Sequence, residues 1–181
     1  MATTSDPIAA LAFRAAADAR LVADGRYVEE LLALVRGARD RVWASVFLVD
    51  LLTDTAAAPR RSSVLPVLHE LRAARWRGCD VRLLIGGSRT NVTLAVHAAA
   101  SLRVARRLGI PTRWCTERAS RGSHVKCVLA DEGVLLGSHN WSPGAFSGAE
   151  VQDSVLLRSA DLAAPIAEMF VSQWLRAGVA S

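Results

Sequence analysis

The chain has 181 residues, 51% hydrophobic and 22% charged, which suits one globular domain with a real core and leaves little room for a second. No uninterrupted apolar run approaches the roughly 18–20 residues that cross a bilayer. The net charge of +5 suits a polyanionic partner such as nucleic acid and excludes little by itself.

Residues 1–26 read as an N-terminal arm or helix, with a loosely amphipathic stretch from Ile8 to Val22. Met1 to Asp6 carries no positive charge ahead of an apolar stretch, which argues against a secretory signal and for a cytoplasmic protein. Residues 27–178 form the domain proper. Asp24 is placed to cap a helix over about 26–38, with Val28, Leu31, Leu32 and Val35 on one face. Val42 to Leu52 has strand composition. Ala56 to Arg61 is a loop, with Arg60-Arg61 read as solvated. Ser62 or Ser63 opens a helix to Arg77, stopped by Gly78. Val81 to Ile85 is a short buried strand, followed by the loop Gly86-Gly87-Ser88-Arg89. This loop lacks the GK[ST] ending of a P-loop, although Arg89 is a candidate phosphate contact. A helix over about 91–108 ends at Gly109, and Thr112 to Thr116 is a further strand.

The order helix, strand, helix, strand, helix, strand predicts a largely parallel sheet covered by helices. The second half changes character. Ser123–Ala130 and Val134–Gly137 are strands joined by the tight turn Asp131-Glu132-Gly133. A loop rich in glycine and serine spans 138–149, Asp153–Arg158 is a strand, and a last helix over 160–176 packs Leu162, Ile166, Met169, Phe170 and Trp174. The predicted fold class is α/β, a single mixed, mostly parallel sheet flanked by helices.

Chemistry concentrates around His124. Of 22 basic residues, 21 are arginine and Lys126 alone is lysine. Side chains alternate along a strand, so His124 and Lys126 project from one face. An imidazole beside an ammonium suits a phosphate: the lysine neutralises a non-bridging oxygen while the histidine attacks phosphorus or moves a proton. Ser138 and Asn140, also two apart, can donate to the same oxygens. An attacking ring nitrogen must stay unprotonated, which calls for an acceptor on the other nitrogen; Glu150 or Asp153 could supply it. His139 should point away from Ser138 and Asn140 and serve structure, with Trp141 as a core anchor. His69 and His97 read as surface or packing residues. Arg118 and Arg121, just before the motif, are candidates for backbone phosphates of a nucleic acid. Cys79, Cys115 and Cys127 form no metal-ligand spacing, so no structural zinc is expected, and no cofactor is called for.

The stretch His124-Val125-Lys126, Asp131 and Gly137-Ser138-His139-Asn140 resembles the HxK-x4-D…GSxN motif of the phospholipase D superfamily, especially its bacterial nuclease-like members. The specific match covers about residues 122–158. One departure is the five residues between Asp131 and Gly137, where the family usually has six; it falls in the hairpin and predicts a tighter turn. The resemblance implies a metal-independent, two-step phosphoryl transfer through a phosphohistidine. It makes His124 the nucleophile or its acid/base counterpart, Lys126, Ser138 and Asn140 phosphate ligands, and Asp131 a residue that orders the motif. One motif per chain implies a homodimer that shares its site. The expected substrate is a DNA or RNA phosphodiester, with no stable membrane association. The alternatives are a lipid phosphodiesterase, or a low-turnover nucleic-acid-binding subunit of a larger defence or repair assembly.

Overall fold

The computed structural model describes residues 18–52, 64–88, 90–115 and 123–177. Seven strands form one sheet: β1 (Asp18–Ala23), β2 (Arg41–Val46), β3 (Asp80–Ile85), β4 (Thr112–Trp114), β5 (Lys126–Ala130), β6 (Gly133–Gly137) and β7 (Asp153–Arg158). Five helices accompany them among the described residues: α1 (Arg26–Gly37), α2 (Leu65–Trp76), α3 (Val92–Arg107), α4 (Pro143–Ser147) and α5 (Ala160–Arg176).

The strand order is β1-β7-β6-β5-β2-β3-β4. The ladders β2–β3 and β3–β4 are parallel, whereas β2–β5, β5–β6, β6–β7 and β7–β1 are antiparallel. The fold is therefore the expected single mixed α/β sheet flanked by helices. Strand direction is mostly shared, since only β5 and β7 run against the rest, but parallel pairing is confined to the β2-β3-β4 end.

Alternation along each strand sorts the core into two layers. Val42, Ala44 and Val46 of β2 face Leu31 and Val35 of α1, Leu68 and Leu71 of α2, and Leu102 of α3. Trp43, with Leu84, Cys127 and Leu129, faces Ala167, Phe170 and Trp174 of α5 on the other side. Lys126 is opposite Val46 in the β2–β5 register, so its side chain emerges on the side covered by α1, α2 and α3. Val125 and Cys127 instead line an apolar groove of about 210 Å³ under α5. Cys79, Cys115 and Cys127 are buried, and burial pushes the Cys127 thiol up to about 12.

Four expectations change. The helix read over Ile8–Val22 is a strand across Asp18–Ala23; its first part lies outside the described residues. Alanine content favoured helix, but the edge of β7 offers six residues of backbone pairing, and tertiary pairing overrides propensity. Asp24 does not cap α1. It sits at φ 48° and its carboxylate accepts from the Gln152 N–H, leaving Gly25 at the cap. The strand read over Val42–Leu52 ends at Val46, beyond which only Val49 makes a single bridge, to Trp141. The loop over 138–149 contains α4, started by the Ser142 hydroxyl accepting from the Ala145 N–H and by Pro143.

Candidate active site

The hairpin β5–β6 builds the site, and Asp131 fixes the hairpin's far end. Asp131 adopts φ 52°, and its carboxylate accepts from the backbone N–H groups of Arg39, Asp40 and Arg41. Burial alone would raise its pKa; the three N–H donors and the Arg41 charge outweigh that and hold it below 3.8. This clamp joins the turn to the start of β2. Five residues of strand at about 3.3 Å each put Asp131 some ~16 Å from Lys126. Asp131 therefore acts at the opposite end of the strand from the histidine.

At the near end, β5 begins at Lys126 and His124 lies just before it, exposed. Lys126 is buried, with 7% of its surface exposed. Its Nζ lies 2.9 Å from Nδ1 and 3.3 Å from Nε2 of His124, and donates to the His124 carbonyl oxygen at 2.9 Å. Phe47, the first residue past β2, closes the arrangement. Its ring centre is 4.3 Å from that of His124 and 5.0 Å from Nζ, a cation–π contact. Desolvation, then the Lys126 charge, lower the His124 pKa, and burial lowers that of Lys126. Both effects favour the unprotonated imidazole, the form a nitrogen nucleophile requires.

The β6 end carries the remaining candidates. Gly137 is demanded by close approach, since a Cβ there would come within 2.3 Å of the Asp153 carbonyl oxygen. Ser138 is exposed, and its hydroxyl is held by the β7 backbone, accepting from the Asp153 N–H at 3.1 Å and donating to the Asp153 carbonyl at 3.2 Å. Asn140 has a buried Oδ1 with no hydrogen-bond partner among the described residues. Glu150 accepts from the Gln152 side-chain amide at 2.6 Å, and this contact fixes which way the amide faces. The other end of that amide, Oε1, is also buried and has no partner among the described residues. Among the described residues the His124 ring nitrogens meet Lys126 and neither Glu150 nor Asp153, so a single chain does not bring those carboxylates to the histidine.

His139 is fully buried and stacked on Tyr27, ring centres 4.2 Å apart. Its Nε2–H faces the Asp24 carbonyl at 3.3 Å, so Nδ1 accepts from the Ser154 hydroxyl at 2.8 Å. Trp141 is fully buried, its indole N–H donating to the Tyr27 hydroxyl. Gly86 lies where a Cβ would come within 2.4 Å of the Ser123 carbonyl oxygen and 2.9 Å of Phe47 Cα. That glycine lets the β3–α3 loop press against the two residues beside the histidine. Arg89, Arg118 and Arg121 lie outside the described residues. Sequence reading missed Phe47, which sat inside an apolar run. It also missed the pairing of His97 Nδ1 with the Asp50 carboxylate at 2.8 Å, two residues too far apart in sequence to signal each other.

A family model described as "Cardiolipin synthase, PLD-like domain" matches residues 31–174. Among solved structures sharing the fold is the crystal structure of a phospholipase D family member, Nuc, from Salmonella typhimurium. It is 19% identical, with a TM-score of 0.71, covering 89% of this chain and 96% of that one. NucT from Helicobacter pylori is 15% identical, with a TM-score of 0.59, covering 88% and 98%. Phosphatidylserine synthase from Haemophilus influenzae Rd KW20 is 13% identical, with a TM-score of 0.63, covering 85% of this chain and 36% of that one. No curated protein sequence matches significantly.

Proposed function

Because the chain belongs to the phospholipase D superfamily of phosphodiesterases, we propose that it is a nuclease, hydrolysing DNA or RNA phosphodiesters through a phosphohistidine at a site shared by two copies of the chain. The observation that carries this reading is the exposed His124 imidazole in contact with the buried Lys126 side-chain nitrogen.

The ammonium has a second use when a phosphodiester arrives. A non-bridging oxygen is a better acceptor for it than a ring nitrogen, and transfer of Nζ to that oxygen frees the imidazole. A ring nitrogen of His124 then forms a bond to phosphorus as the bond to the leaving oxygen breaks. His124 of the partner subunit, which enters the step protonated, gives that oxygen its proton. Water, deprotonated by the same imidazole, attacks phosphorus and releases His124. Lys126 and the Asn140 amide stabilise charge on the oxygens, joined by the Ser138 hydroxyl once it turns its proton from the Asp153 carbonyl to the phosphate, and one such donor is worth about 3 kcal/mol in the transition state. Two-fold pairing is required because each chain carries one such histidine. Asp131 takes no part at phosphorus, and a role for Glu150 or Asp153 at the histidine requires the assembled pair.

A lipid substrate is less well supported. The apolar groove lies under α5, on the side of the sheet to which Val125 and Cys127 point, away from His124 and Lys126. Among the described residues no helix is long and apolar enough to cross a membrane.

The test is a substrate panel in excess chelator, comprising single- and double-stranded DNA, RNA and phosphatidylcholine vesicles. Cleavage of a nucleic acid by a species of dimeric mass in light scattering is expected. Activity confined to the lipid, activity lost on chelation, or an active monomer would each overturn the reading.

A further inference from the structure

The segment that leaves β2 is gripped from two sides. On one side it pairs with the loop after β6. The Trp141 N–H donates to the Leu48 carbonyl at 2.9 Å and the Asp50 N–H donates to the Trp141 carbonyl at 2.7 Å. On the other side lies α3. The Ser101 hydroxyl donates to the Val49 carbonyl, and His97 Nδ1 meets the Asp50 carboxylate at 2.8 Å. His97 and Ser101 are four residues apart, one turn of the same helix face, and they take consecutive residues of the segment. Asp50 is buried, with 8% of its surface exposed, and the His97 side chain is 18% exposed.

A buried carboxylate is an expensive way to hold a loop, because its desolvation must be offset by the partner. The Ser101 bond and the Trp141 bridge already tie down three backbone groups of this segment, the Leu48 and Val49 carbonyls and the Asp50 N–H. What the His97–Asp50 contact adds is a directional link between α3 and the residue three places after Phe47. Phe47 in turn is the residue whose ring bears on both His124 and Lys126. Trp141, gripped by the same segment, immediately follows Asn140 in the chain.

We propose that Asp50 and His97 are positioning residues for the His124 site. Their pair fixes the β2 exit against α3 and so sets the Phe47 ring on the imidazole and holds the Asn140–Trp141 loop in register with it. The pair does not touch phosphorus. The proposal rests on His124 and Lys126 being the reacting groups, but the contact it describes can be read without turnover.

The experiment compares the wild-type dimer with Asp50→Asn, His97→Ala and His97→Asn. Asparagine places an amide N–H near the position of imidazole Nδ1–H, so it keeps the donor to Asp50 while removing the ring. Thermal melting shows that each variant is folded, and nitrogen-proton correlation spectra of the imidazoles report the His124 ring environment. With a working substrate, kcat and KM are measured separately. The His124 ring resonances are expected to shift in His97→Ala and Asp50→Asn and to return towards wild type in His97→Asn. In parallel, kcat should fall about 10-fold in the first two, with KM unchanged, and recover in the third, since a small misplacement of reacting groups costs rate rather than binding. Unmoved His124 resonances in folded His97→Ala protein would overturn the proposal, as would equal losses in His97→Ala and His97→Asn. If no substrate is cleaved by the wild type, the proposed nuclease function fails on its own while the spectra still decide this inference.

Discussion

Nζ of Lys126 lies 2.9 Å from Nδ1 of His124 and 2.9 Å from the carbonyl oxygen of the same residue. The chain's one lysine is thus folded back onto the histidine two residues earlier, with Phe47 covering both. A guanidinium is planar and longer, and it cannot occupy that space as a compact point charge. Lys126→Arg is expected to lower kcat about 100-fold, close to the loss in Lys126→Ala, because removing a charged oxyanion donor costs about that much. Steady-state kinetics on the cleaved nucleic acid provides the check; an arginine variant of near wild-type rate would show that charge alone suffices.

His124→Ala should abolish turnover, with a loss of at least about 1,000-fold, since no other described side chain is placed to take over as nucleophile. Binding of nucleic acid should change little, because an exposed neutral ring contributes little electrostatic attraction. Filter binding with the uncleaved substrate measures this. A variant that still cleaves would move the reaction centre elsewhere.

The pH dependence has a definite sign. Desolvation and the Lys126 charge put the His124 pKa below 6.5, and the attacking ring must be neutral. The reaction needs one neutral ring and one protonated ring, so activity should rise as pH falls towards the folded-state value below 6.5 and decline beneath it, where both rings are protonated. The unfolded chain protonates this histidine near 6.5, so between the two values the unfolded state binds more protons. Any stability linked to His124 is therefore present above 6.5 and lost as pH falls through the folded value. Proton NMR titration of the His124 ring tests the direction, and a value above 6.5 contradicts it.

Asp131 makes the opposite kind of prediction, one of stability without chemistry. Replacing it by Ala leaves three backbone N–H groups of the Arg39–Arg41 segment without their acceptor, at a cost of about 1–3 kcal/mol. Its folded pKa lies below 3.8, so this contribution is present above 3.8 and lost as pH falls through the folded value. Chemical denaturation should show the loss, while kcat below the melting temperature stays within about two-fold of wild type. A large fall in kcat for the folded variant would bring Asp131 back to the reaction.

The parts of the site legible in the sequence were those fixed by local periodicity. Alternation placed His124 and Lys126 on one face, and Gly137 and the short turn after Ala130 set the hairpin. Helix ends were readable where a glycine had to adopt positive φ, as at Gly78 and Gly109. What escaped was set by distant partners. Asp18–Ala23 carries a helical composition and becomes a strand because β7 offers an edge. The run from Val42 to Leu52 is uniformly apolar, so nothing in it marked Val46 as the last paired residue or turned Phe47 towards the histidine. His97 and Asp50 are 47 residues apart, and only the packing of α3 against the β2 exit brings them together. The expectation of a carboxylate on the histidine failed to anticipate that lysine would occupy the ring nitrogens within one chain.

The whole account turns on a bond between an imidazole nitrogen and phosphorus. The decisive measurement is tandem mass spectrometry of the wild-type protein, rapidly quenched under alkaline conditions during turnover in excess chelator. A phosphoryl adduct carrying the nucleic-acid fragment is expected on His124 and absent from His124→Ala. Continued cleavage with no adduct on His124, or an adduct on a different residue, would contradict it.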